Sequence, residues 1–188
     1  MTALAMGGFP ARHSADRNVF LILVGLVWIG VLTGFGTSSY QHLTEFGLDY
    51  PWIVHVHAVT FVSWLVLFTV QTALIRTDRA SLHRKLGVYG AILAAAMMVI
   101  GPATALTVNV ARFAKDGTPP LFLAVQFTDM LAFGTLTGAG LLLRHNAGAH
   151  KRLVLLGLFY LSDAGFARFI NPFVAQPIGE GFWGDMTA

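Results

Sequence analysis

The chain has 188 residues, of which 55% are hydrophobic and 11% charged, and its mean hydropathy is +0.67. Soluble domains carry about a quarter charged residues, so this composition excludes a water-facing globule and fits an all-α integral membrane bundle with an apolar exterior. The absence of cysteine excludes disulfides and thiolate metal sites, and the net charge of +3 reports topology rather than a nucleic-acid partner.

Five apolar stretches are each long enough to cross about 30 Å of hydrocarbon, which takes roughly 20 helical residues. They run over 19–37, 52–75, 87–110, 121–143 and 153–171. The first follows a polar stretch with Arg12, His13, Asp16 and Arg17 and lacks a small-x-small cleavage site, so it is expected to be a retained helix within a single transmembrane domain. The fifth is the least hydrophobic because it contains Asp163 and Arg168. Gly30 with Gly34, and Gly134 with Gly138, form small-xxx-small pairs that serve helix packing.

Basic residues set the expected orientation. Arg12, Arg17, Arg76, Arg79, Arg84, Lys85, Arg144, Lys151 and Arg152 fall on one side, against Arg112 and Lys115 on the other. The positive-inside rule then places the N-terminus in the cytoplasm and the C-terminus outside. The segments LIRTDRASLHRKLG and LLRHNAGAHKRLVLLG are similar, which suggests two related hairpins, second-third and fourth-fifth, with the first helix added.

The chemistry-bearing residues fall into three groups. In the outer half, Gln126, Asp129, Asp163 and Arg168 form an expected buried polar cluster, because ionisable groups at that depth are costly and seek partners. It serves either as an outward-facing pocket or as a structural pairing of Arg168 with Asp129 or Asp163, and a small proton-coupled carrier is the transport form of the first. His55 and His57 open the second helix as a candidate metal pair, although residues two apart on a helix point about 200° from each other, so a shared ion requires the segment after Pro51 to be unwound. His57 shares a stripe with Trp64 and Gln71 and is the one expected to face the interior. On the cytoplasmic side, His83 and His150 hold equivalent places in the two hairpins, as axial ligands or as interfacial residues among basic neighbours. No nucleotide loop, nucleophile elbow or zinc-protease helix is present.

The run HVHAVTFVSWLVLFTVQTALIRTDRASLHRKLGVYG, with HKRLVLLGLFYLSDAGFAR, resembles a group of uncharacterised bacterial multi-pass membrane proteins over the second to fifth helices. That resemblance implies the bacterial inner membrane, with a periplasmic C-terminus, and assigns no activity. More distantly, the placement of histidines at helix ends is similar to the diheme transmembrane cytochromes b of the ascorbate-reducing type. The likeness implies heme b held for electron transfer, with His57, His83 and His150 matching three of four ligands. The fourth helix offers Gln126 and Asp129 instead, leaving one heme between His83 and His150. A second reading, from the 15 Phe, the 4 Trp and the aromatic tail NPFVAQPIGEGFWGDMTA, is an accessory subunit whose partners are the bilayer and a larger membrane complex.

The orientation is directly checkable. Cysteines replacing Ser81 and Asn146 are expected to be shielded from an impermeant thiol reagent in intact cells, and one replacing Asp116 is expected to react. Labelling of the Ser81 variant from outside would refute the orientation.

Overall fold

The computed structural model describes residues 16–178, and these form five helices with no strand among them. They are α1 (Asp16–Phe46), α2 (Trp52–Arg76), α3 (Ala80–Asp116), α4 (Leu123–Leu142) and α5 (Ala147–Ile178). The terminal segments, including His13, Arg12 and most of the aromatic tail, lie outside the described residues.

The helices number five, as expected, but three of them run well past the apolar stretches. Turn chemistry sets their ends, and hydropathy does not. α2 stops where Asp78 takes a left-handed conformation (φ 57°), with Arg79 N–H donating to the Leu74 carbonyl at 2.8 Å. A short polar residue tolerates that conformation, and the bond satisfies a carbonyl the helix leaves open. α3 ends at Gly117 (φ 74°), whose N–H reaches the Phe113 carbonyl at 2.9 Å. α5 begins earlier than the hydropathy indicates because the Asn146 side chain accepts from the Ala149 N–H at 3.1 Å, as an N-cap does.

Four helices are long and apolar enough to cross a membrane, by length and composition: α1, α2, α3 and α5. α4 is not among them, which corrects the expectation of five such helices. Its 20 residues carry Gln126, Asp129, three threonines and three glycines, and these dilute an otherwise apolar stretch.

The helices pack as a closed ring in chain order, with α5 returning to α1. The α2–α3 and α4–α5 hairpins and the α1–α5 contact are the most extensive, and α1 meets α2 only lightly. Inside the ring every helix contributes: Val27, Trp64, Leu65, Met97, Phe133 and Leu158 are buried together, with Trp64 edge-on to Phe133 at 5.3 Å. Outside, Ile22, Ile29, Val59, Ile92, Val99 and Leu131 stand exposed. An apolar core inside an apolar surface is the arrangement a bilayer requires.

α1 and α5 meet through glycine. A Cβ on Gly34 would run into the Gly165 carbonyl, and one on Gly165 would sit 3.0 Å from the Gly30 carbonyl oxygen. Gly36, two residues on, has open space around it. Gly34→Val is therefore expected to lower stability by about 1–3 kcal/mol, the range for overpacking a close contact. Gly36→Ala is expected to leave it unchanged or slightly raised. Thermal unfolding in detergent measures both, and equal effects would mean that α1 and α5 do not approach at Gly34.

Candidate functional site

Two clusters of polar side chains lie toward opposite ends of the ring. At the end with the basic turns, the three-residue connection after α2 places His83 in the first turn of α3. The Gln71 amide, on the inner seam of α2, donates to the His83 carbonyl at 3.2 Å and ties the two helices together. His150 opens α5, and its Nδ1 lies 2.8 Å from the Gly140 carbonyl near the end of α4. Gly140 has no room for a side chain, since a Cβ there would meet Val154 at 2.7 Å. The outcome is that imidazoles from α3 and α5 stand side by side, with ring centroids 6.2 Å apart and planes at 83°.

A carbonyl only accepts, so the His150 Nδ1 is the donor in its bond to Gly140. His83 has a buried Nδ1 without a hydrogen-bond partner, and the Gln71 Oε1 is likewise buried and unpartnered. Buried polar atoms left open in this way are uncommon. A groove of about 220 Å³ begins within one turn of Gly140, between α3 and α4. Its walls include the small residues Ala91, Ala95, Gly134 and Gly138.

At the other end, Asp129 of α4 and Asp163 of α5 share a hydrogen bond. Carboxylates only accept, so this bond exists while one of the two holds a proton. Gln126 does not join them. Its Oε1 accepts from Asn109 Nδ2 of α3 at 3.1 Å, and the same Nδ2 also reaches the Ala105 carbonyl. Asn109 was not expected from the sequence, although a lone amide in the apolar run of α3 was the available signal.

Arg168 also departs from expectation. It pairs with neither acid but lies over the Phe35 ring of α1, 4.6 Å from its centroid, and donates to the Ala164 carbonyl at 2.9 Å. The reason is angular: five residues along a helix turn it about 140°, so Asp163 faces α4 while Arg168 faces α1.

The remaining histidines separate. α2 is helical from Trp52, so His55 and His57 diverge. His55 meets Tyr50 edge-on at 6.2 Å, and His57 turns inward to stack on Phe61 at 3.9 Å. The condition for a shared ion is not met. Among the described residues, no three His, Cys, Asp or Glu side chains gather where one metal ion would be held. His57 is also remote from the histidine pair. The 14 residues from His57 to Gln71 span about 21 Å at the rise of an α-helix, so it does not join His83 and His150.

Comparison with protein-family models, curated proteins and solved structures finds no match to this chain.

The carboxyl pair makes a stability prediction. Asp129→Asn keeps a donor and an acceptor facing Asp163 and is expected to be close to neutral. Asp129→Leu leaves Asp163 without its partner and is expected to cost about 1–3 kcal/mol. Unfolding in detergent distinguishes the two, and a leucine variant as stable as the parent would show that the bond contributes nothing.

Proposed function

We propose that this chain is an integral protein of the bacterial cytoplasmic membrane, with its N-terminus in the cytoplasm, and that His83 and His150 bind one b-type heme for electron transfer. All five helices cross in this reading, with α4 carried by its four more apolar neighbours. The observation that carries the heme assignment is the juxtaposition of two imidazoles from separate helices, 6.2 Å apart.

The donor set favours a macrocycle over a bare ion. A lone metal site draws three or four ligands from the protein, and only two imidazoles meet here. A b-type heme would be held by His83 and His150 and would supply a one-electron couple. The chain's contribution is positional. The Gly140 carbonyl fixes the tautomer and tilt of His150, as the outer partner of a ligating imidazole does. Gln71 fixes the backbone from which His83 projects. The small residues beginning near Gly140 leave a space open to the exterior. That space is about 220 Å³, and neither His83 nor His150 is among the residues that line it.

Absorption spectra of the purified protein, oxidised and reduced, with metal analysis on the same sample, test the assignment. A Soret band with sharp reduced α and β bands is expected. His83→Ala and His150→Ala are each expected to abolish it, and His57→Ala to leave it unchanged. A spectrum that survives loss of both His83 and His150 would reduce them to interfacial residues. A colourless, metal-free preparation would favour the accessory subunit.

A further inference from the structure

At the end of the ring opposite the histidine pair, Arg168 faces the mouth. Its guanidinium lies over the Phe35 ring and gives one N–H to the Ala164 carbonyl. A guanidinium carries five N–H donors in a planar fork, so most of them remain for another acceptor. The charged group that acts on it most strongly is itself a cation: Arg112 of α3 comes ahead of Tyr50 and of Asp163. Two guanidiniums from separate helices thus converge on one opening, where like charges repel.

The acids nearby do not offset them in full. Asp163 is hydrogen-bonded to Asp129, so the pair holds one proton and carries a single negative charge. Asp116, one turn beyond Arg112, is exposed and accepts from the Thr118 N–H at 2.9 Å. Lys115 stands beside it. The three cations Arg112, Lys115 and Arg168 therefore face two negative charges among the described residues, one on Asp116 and one on the carboxyl pair.

The walls of the mouth are aromatic. Tyr50, in the connection between α1 and α2, is the second neighbour of Arg168. His42 of α1 stacks on the Tyr50 ring at 3.7 Å, and His55 of α2 meets it edge-on at 6.2 Å. We infer that this mouth is a binding site for an organic oxyanion, a carboxylate or phosphate on an apolar body, held between Arg112 and Arg168. The planar fork of arginine matches both groups. The Tyr50 hydroxyl adds a neutral donor, and the rings around it receive the apolar body. In the membrane reading above, Arg168 belongs to an apolar span, where a charge without its counterion is costly. A bound anion relieves that cost and the repulsion together. The site does not depend on heme, nor on which end faces the cytoplasm. Its ligand is either a small organic acid in solution or the phosphate of a lipid headgroup.

Thermal unfolding of the full chain in an uncharged detergent tests the site, because a ligand of the folded state raises the midpoint in a saturable way. Benzoate and inorganic phosphate are titrated against chloride at matched ionic strength, and phosphatidylglycerol against phosphatidylcholine in mixed micelles. A saturable rise is expected with at least one of the three anions. Arg112→Gln and Arg168→Gln are each expected to raise the half-saturating concentration by about tenfold, the equivalent of 1.4 kcal/mol. Lys115→Gln, which removes a cation from the same end of α3, is expected to leave it unchanged. Should Arg168→Gln fail to accumulate, Arg112→Gln, at an exposed position, still decides.

A rise with benzoate or phosphate that depends on the arginines supports a soluble anion. The same dependence with phosphatidylglycerol alone supports a headgroup. The site is overturned if none of the three anions gives a saturable rise, or if the rise is indifferent to Arg112→Gln. It is equally overturned if Lys115→Gln weakens binding as much as Arg112→Gln does, which would mark a diffuse positive surface.

Discussion

The apolar exterior of its four longest apolar helices is the constraint to which the rest of this structure answers. A hydroxyl, amide or carboxyl within hydrocarbon has to find its partner inside the protein. Most hydroxyls do so on their own helix. Thr60, Thr69, Thr72, Thr107 and Thr128 each donate to the carbonyl four residues back. Such bonds leave a helix neutral on its outside at little structural cost. Donors that are not absorbed locally become links between helices. The Trp28 indole reaches Thr69 across the light α1–α2 contact, and Asn109 reaches Gln126 across α3–α4. The carboxyl pair joins α4 to α5 in the same way. Polar groups are few, but they tie together helices whose apolar contacts alone discriminate poorly between one rotation and another.

Glycine provides the second organising feature. α5 meets α1 at Gly30, Gly34 and Gly165, and meets α4 at Gly157 and Gly140. A helix held so closely on two sides has little freedom to turn. That fixes which of its residues face outward. The same close approach at Gly140 brings the carbonyl that orients His150.

Much of this was legible in the sequence. The helical fold, the number of helices, the inward seam of His57, Trp64 and Gln71, and the equivalent placement of His83 and His150 all follow from spacing and hydropathy. Helix ends were misjudged because Asp78, Gly117 and Asn146 set them through backbone conformation and capping, to which hydropathy is blind. The pairing inside the polar cluster was misjudged for another reason. Depth in a membrane is one coordinate and can be read from position in the chain, whereas the facing direction depends on how each helix is rotated against its neighbours. Gln126 and Asp129 are close in sequence yet look toward α3 and α5 respectively. Nothing short of the packing reveals that, and nothing in the sequence marked Gly140 as the carbonyl beside His150.

The length of α3 has a consequence for the histidine pair. Its 37 residues extend about 55 Å at 1.5 Å per residue, against the roughly 30 Å of a hydrocarbon layer. The helix is thus longer than such a layer is thick, and His83 is in its first turn. In the proposed membrane placement the imidazole pair lies near the boundary where hydrocarbon gives way to headgroups. If the pair holds heme as proposed, a soluble electron donor on that side would meet it without entering the membrane. From the opposite side, a group held there would be separated by nearly the whole length of the core that Trp64, Met97 and Phe133 fill among the described residues.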